Sequence, residues 1–176
     1  MTAAKIPSQA TYLTVAALVT LLAIAADQGS KIWALANLEP GQVKPFIGSF
    51  ITLQLVFNPG AAFSFLAHST WLFTIISVGV SVAVLFYLPR VRSWYWVIVL
   101  GLILGGAIGN LIDRLIRPPG IGVGHVVDFL NWNGWFVGNV ADIWIVGGAI
   151  MVFLLSAFNI SATDTNLVAA EVAESH

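Results

Sequence analysis

The chain is predicted to be an all-α membrane protein, with four transmembrane helices and a small β-rich segment between the first and the second. Three observations predict this. Of 176 residues, 59% are hydrophobic and 9% charged, with a mean hydropathy of +0.92, whereas soluble domains carry about 25% charge. The few charges delimit four apolar runs of about 20 residues each, enough to cross a hydrocarbon core of roughly 30 Å at 1.5 Å per helical residue. The runs also lack the two-residue alternation of an outer-membrane barrel.

The first run, residues 6–26, lies between Lys5 and Asp27. Its small residues near the end resemble a signal-peptide cleavage site, but its length favours a retained helix over a cleaved leader. The connection that follows is long. Within it, residues 46–57 are β-rich: Ile51, Leu53 and Leu55 alternate with Thr52 and Gln54, as in a half-buried strand, and Asn58-Pro59-Gly60 ends the run. The second helix is expected at residues 69–88. After the short Pro89-Arg90-Val91-Arg92 turn comes the third, at residues 93–113. Gly101, Gly105 and Gly109 recur every four residues there, a small-residue stripe that lets another helix approach closely; Gly147 and Gly148 of the last helix are the expected matching surface. A second long connection contains Pro118-Pro119-Gly120, and the fourth helix is expected at residues 142–162. Residues 1–163 then form one membrane domain, and the polar tail 164–176 is expected to be disordered.

Composition excludes several classes of function. The formal charge is −1 with seven Lys and Arg, so there is no basic field for nucleic acid. Without cysteine there is no disulfide, zinc–thiolate site, iron–sulfur cluster or thiol nucleophile. No Gly-x-Ser-x-Gly elbow is present, and three scattered histidines do not make a metal site.

Polar residues collect at one face of the bilayer whichever way the chain is oriented. Four alternating spans put Asp27, Asn58, Asn110, Asp113, Arg114, Asp128, Asn139 and Asp142 on the same side. Ionisable groups near hydrocarbon are costly and point to function. Asn110–Asp113 and Asn139–Asp142 share the spacing Asn-x-x-Asp, which sets amide and carboxylate on one helix face. The alternative reading is that these residues cap helix ends. Asp27 has Lys31 four residues on, and Asp113 has Arg114 and Arg117, so both acids have ready cations. Asp142 has none within four residues, and Asp128 has only His125. Two such carboxylates brought together at a low-dielectric edge share a proton. One then acts as base toward water while the other supports and protonates the reacting amide, as in aspartic proteases.

Five segments in order complete a pattern: Asp27-Gln28-Gly29-Ser30-Lys31, Asn58-Pro59-Gly60-Ala61-Ala62-Phe63, the run from Gly105 to Arg114, Val126-Val127-Asp128-Phe129, and Asn139-Val140-Ala141-Asp142. Together they resemble the lipoprotein signal peptidases (signal peptidase II). The resemblance implies a four-helix aspartyl endopeptidase of the bacterial cytoplasmic (inner) membrane. Its substrate would be a diacylglyceryl-modified prolipoprotein, cut just before the lipidated cysteine. It implies that Asp128 and Asp142 are the catalytic pair, and that Asn58, Gly60, Asn110, Arg114 and Asn139 hold substrate or orient the site. Asp27 and Asp113 would be supporting acids. Cytoplasmic termini, an extracytoplasmic site and β-rich segment, a monomer in contact with membrane lipid, and no metal or organic cofactor are also implied. Two departures stand out. Gly138 occupies a place where the family often has Phe, and Ile143-Trp144 follows the last Asp where a small polar residue is common. A different reading of the acids is a small proton- or ion-coupled transporter; a third is a scaffold in which the Asn-x-x-Asp pairs are caps only.

Overall fold

The third apolar run is the one that other elements surround, and it organises the molecule. In the computed structural model, which describes residues 7–60 and 70–163, it forms helix α3, Trp94–Ile116. Its most apolar stretch is 56% buried, against 17–22% for the others. Around it stand α1 (Gln9–Asn37), α2 (Thr70–Tyr87, extended by a 3-10 turn Leu88–Arg90) and α4 (Val140–Ala157). All four are long and apolar enough to cross a membrane. Their outward faces stay apolar, with Leu22, Phe86 and Phe153 about 70% exposed. At one end Tyr12, Ala16, Val84, Leu88, Val91, Val97, Leu100 and Leu104 close a core among α1, α2 and α3. Residues 61–63 of the Asn58 segment, the expected first residue of the second helix and the tail 164–176 lie outside the described residues.

The glycine stripe packs on α1, not on Gly147 and Gly148. A β-carbon at Gly101 would meet Val19 and Ala16, one at Gly105 would meet Ala23, and one at Gly109 would meet Asp27. Small residues on both helices let the backbones approach, as in small-xxx-small packing. Gly106, one residue off the stripe, faces Ala141 and Ile145 of α4, and Gly148 meets Ile103.

α1 does not stop at Asp27. It continues to Asn37, for 29 residues, about 44 Å at 1.5 Å per residue. The apolar run ends where the charges begin, but nothing there breaks a helix, and the extension is held by burial. Ala34 and Leu38 pack with Leu53, Leu55, Val127, Phe129 and Leu130, the interior side of a sheet that the sequence disclosed only in part.

That sheet has four antiparallel strands in the order β1 (Lys44–Phe46), β2 (Gly48–Asn58), β3 (Val126–Trp132) and β4 (Phe136–Gly138). β2 is the predicted strand. β3 and β4 come from the second long connection, read from sequence as loop. Val56 pairs with Asp128 and Asn58 with Val126. The link from α3 folds back so that the Gly122 and Gly124 N–H groups donate to the Arg114 carbonyl, which brings β3 under the end of α3. α4 starts at Val140 and ends at Ala157, earlier at both ends than the predicted 142–162.

Candidate active site

Five elements meet where the sheet abuts the helix ends. β2 contributes Asn58, β3 Asp128, α3 Asn110 and Arg114, and the start of α4 Asn139 and Asp142; α1 lies behind with Asp27 and Lys31.

Asp128 alternates to the face opposite Val127 and Phe129 and is 1% exposed. One carboxylate oxygen accepts from Asn58 Nδ2 at 2.7 Å and the other from Asn139 Nδ2 at 2.6 Å. Asn58 is itself anchored, because its Oδ1 accepts the Gly60 N–H at 2.7 Å. Asp142 Oδ1 accepts from Asn110 Nδ2 at 2.9 Å. Asn139 and Asp142 form a capping box at the N-terminus of α4, with reciprocal bonds of 3.1 Å. The capping alternative therefore describes Asn139 correctly, yet capping does not exhaust its role: its amide nitrogen also reaches Asp128 and, at 3.2 Å, Asn110 Oδ1. The two aspartates are thus linked through the side chains of Asn139 and Asn110. Among the described residues neither is in ion-pair contact with a Lys or Arg. Burial, then the neighbouring Asp142 charge, push the Asp128 carboxyl up to about 7, against the opposing pull of the Asn58 and Asn139 amides.

Asp27 and Asp113 occupy a separate, cationic layer. Lys31, 0% exposed, lies 2.8 Å from Asp27 and 2.9 Å from Asp113. Arg117 pairs with Asp113 at 2.7 Å. The i,i+4 pairings read from sequence are both made; Arg114, the other candidate partner of Asp113, turns elsewhere. Asp113 also accepts the Val127 N–H at 3.2 Å, and Asp27 accepts the Ala141 N–H at 3.0 Å. These acids tie the starts of β3 and α4 to α1 and α3. Asn110 and Asp113 do share a helix face, and their common neighbour is Lys31, 3.0 Å from Asn110 Oδ1. Sequence reasoning saw Lys31 only as a partner for Asp27. A lysine one turn past an acid in a membrane run was the available signal.

Arg114 is 7% exposed and lies within electrostatic reach of both Asp142 and Asp128. Its guanidinium rests over Phe73 at 5.6 Å and donates to the Asn110 carbonyl at 3.2 Å. Nε has no hydrogen-bond partner among the described residues. Beside Asp142 opens a cavity of about 360 Å³, lined by Trp132, Phe136, Asn139, Asp142, Ile143, Val146, Gly147 and Ile150. One end is polar and the rest is an apolar groove along α4.

The structure explains how Gly138 is accommodated. A β-carbon there would lie 2.8 Å from Asp142 Oδ2 and 3.2 Å from the Phe136 ring. Phe136 stacks on Trp132, with centroids 5.9 Å apart, and brings an aromatic ring to that place from two residues earlier. Ile143, the other departure, lines the groove.

The comparisons agree with the motifs. The sequence profile of Signal peptidase (SPase) II matches residues 19–158. A lipoprotein signal peptidase of Mycobacterium avium (strain 104) is 49% identical over 146 residues, which is 83% of this chain and 78% of that protein. That of Rhodococcus jostii (strain RHA1) is 47% identical over 142 residues, 81% of this chain and 72% of the relative. A solved bacterial membrane enzyme, determined by the in meso method, superposes with a TM-score of 0.69 at 23% identity over 89% of this chain and 93% of its own. The fold is therefore that of a known membrane enzyme, and with a profile spanning most of its length this multi-pass chain belongs to the signal peptidase II family.

Proposed function

We propose that the protein is an aspartyl endopeptidase of the bacterial cytoplasmic membrane that removes signal peptides from diacylglyceryl-modified prolipoproteins, cutting just before the lipidated cysteine. The observation that carries this reading is the pair Asp128 and Asp142. They are bridged by Asn139 and Asn110 and lack an ion-pair partner among the described residues, and Asp142 stands at the polar end of an apolar groove.

The chemistry follows from the environments. Asp128, with its carboxyl pushed up to about 7, carries the proton that the pair shares. Asp142 is the base: it takes a proton from water as the oxygen attacks the scissile carbonyl. Asp128 donates a hydrogen bond to the developing oxyanion. As the C–N bond breaks, the proton held on Asp142 passes to the leaving amine. Arg114 Nε, buried without a hydrogen-bond partner among the described residues, serves as a donor to a substrate carbonyl, and Asn58 fixes Asp128. The groove along Val146 and Ile150 takes apolar substrate entering from the bilayer. Thr52 and Leu53 of β2 are already paired on both sides, whereas Val56 and Phe57 pair with β3 only among the described residues, so a peptide adding to the sheet would use that stretch of β2. Domain 1–163 acts as one monomeric unit, its termini cytoplasmic and its sheet extracytoplasmic. Asp27, Asp113 and Gly60 support the site without touching substrate.

The test is cleavage of a diacylglyceryl-modified prolipoprotein by the purified chain in detergent, with the unlipidated form alongside. Cleavage of the lipidated form only is expected. Activity should fall as pH rises through about 7, because the proton on Asp128 is then lost. Failure of folded protein to cleave in several lipid mixtures would sink the proposal. In the same assay Gly138→Ala should lower kcat about tenfold or more, since its methyl displaces the Asp142 carboxylate. The melting temperature should move by only a few degrees; a wild-type kcat would show that Asp142 tolerates the displacement.

A further inference from the structure

Of the charged groups buried near the site, Lys31 has contacts that its ion pairs do not explain. It comes from α1 and has no exposed surface. Two contacts are to Asp27 and Asp113, which would balance its charge by themselves. The third is to a neutral oxygen, Asn110 Oδ1, at 3.0 Å.

That contact has a consequence for Asp142. A primary amide has one end that accepts and one that donates, and the two are related by a half-turn about χ2. An ammonium can only donate, so Lys31 forces the oxygen of Asn110 toward itself and the nitrogen the other way. The nitrogen then meets Asp142 Oδ1 at 2.9 Å. Asn139 Nδ2 also donates to Asn110 Oδ1, at 3.2 Å, but it is a weaker lock than the ammonium, because its donor is neutral and the contact is longer than the 3.0 Å to Lys31. With the Asn110 amide reversed, its oxygen would face the Asp142 carboxylate and its NH₂ would face Lys31, two repulsive contacts in place of two attractive ones.

We infer that Lys31 is a positioning residue for the reaction: through Asn110 it holds Asp142 as a hydrogen-bond acceptor aimed at the dyad, without itself touching substrate. This deepens the proposed peptidase function and rests on it. The groups facing Lys31 are Asp27 on its own helix and Asn110 and Asp113 on α3, with Asp128 of β3 within electrostatic reach. Charge balance and amide orientation are therefore separable roles.

The experiment is a double-mutant cycle on kcat, using the full chain in detergent and a diacylglyceryl-modified prolipoprotein. Lys31→Met is combined with Asp27→Asn, so that the buried cluster stays electrically balanced, and the pair of changes is made with and without Asn110→Ala. In the Asn110 background kcat is expected to fall about ten- to a hundredfold, with KM within about threefold, as for a displaced catalytic group. In the Asn110→Ala background the same changes should cost less than about threefold, because the link is already gone. An equal factor in both backgrounds, or a wild-type kcat, overturns the inference. If the balanced variant does not fold, Lys31→Arg decides. It keeps the charge, but its planar fork does not reproduce a point ammonium, and the same disappearance of its effect in the Asn110→Ala background is required. A wild-type protein that does not cleave would instead overturn the peptidase reading itself.

Discussion

Asp142→Asn and Asp128→Asn are each expected to abolish cleavage, with kcat reduced about a thousandfold or more, while the protein still folds. Asparagine can neither take the proton of the attacking water nor hold a shared proton. General acid and base each contribute roughly 10²–10⁴-fold, and groups acting as a unit fail together. The double variant should therefore be barely worse than either single one. The structural cost is smaller. At 142 the side-chain oxygen of asparagine can keep the capping-box bond to the Asn139 N–H, and only the contact with Asn110 is set donor against donor. At 128 both carboxylate oxygens accept amide hydrogens, so asparagine must turn its own NH₂ toward one of them. Leaving a buried group unpaired costs about 1–3 kcal/mol. Single-turnover cleavage together with thermal melting in detergent separates the two effects. Residual cleavage within tenfold of wild type in either folded variant would remove that aspartate from the chemistry.

The largest effect on stability should come from Asp113→Ala. Asp113 has no exposed surface and holds four partners: Lys31 at 2.9 Å, Arg117 at 2.7 Å, the Val127 N–H at 3.2 Å and Gln28 at 3.4 Å. Truncation leaves excess positive charge buried beside Asp27 and an orphaned N–H at the root of β3. Breaking a buried pair in this way costs about 3–5 kcal/mol, a large fraction of the stability of an ordinary domain. Little folded protein should be recovered. Arg117→Met should be much milder, because that side chain is 18% exposed and only the edge of the cluster is lost. Melting curves of the two variants beside wild type make the check. An Asp113→Ala protein melting within a few degrees of wild type would mean that Lys31 and Val127 find other partners.

The two sites of greatest expected effect were legible in the sequence to different depths. Asp128 and Asp142 stood out because neither has a Lys or Arg within four residues, a local property. Asp113 and Asp27 stood out as acids with a cation one turn on, and those i,i+4 pairs are formed as the helical repeat dictates. The strand through Leu53 and Leu55 was visible from its alternation. β3 was not, because Val126 to Leu130 is buried on both faces and so shows no two-residue period. The continuation of α1 to Asn37 was hidden for a related reason. Its support is the contact of Ala34 and Leu38 with strands from both long connections, which local composition does not report.

The sequence by itself determined that the chain spans a membrane, roughly where its four helices run, and which polar residues gather at one end. Apolar length, charge position and alternation of spans suffice for that, since the cost of placing charge in hydrocarbon is paid residue by residue. Only the tertiary structure decided which polar group meets which. The bulged register of β2 against β3 sets Asn58 on Asp128, the close approach of α1 to the glycine stripe delivers Lys31 to Asn110, and the capping box at Asn139 turns Asp142 inward. Hydrogen-bond partners separated by 29 to 79 residues are selected by packing and register, and these exist only once the helices and the sheet are assembled.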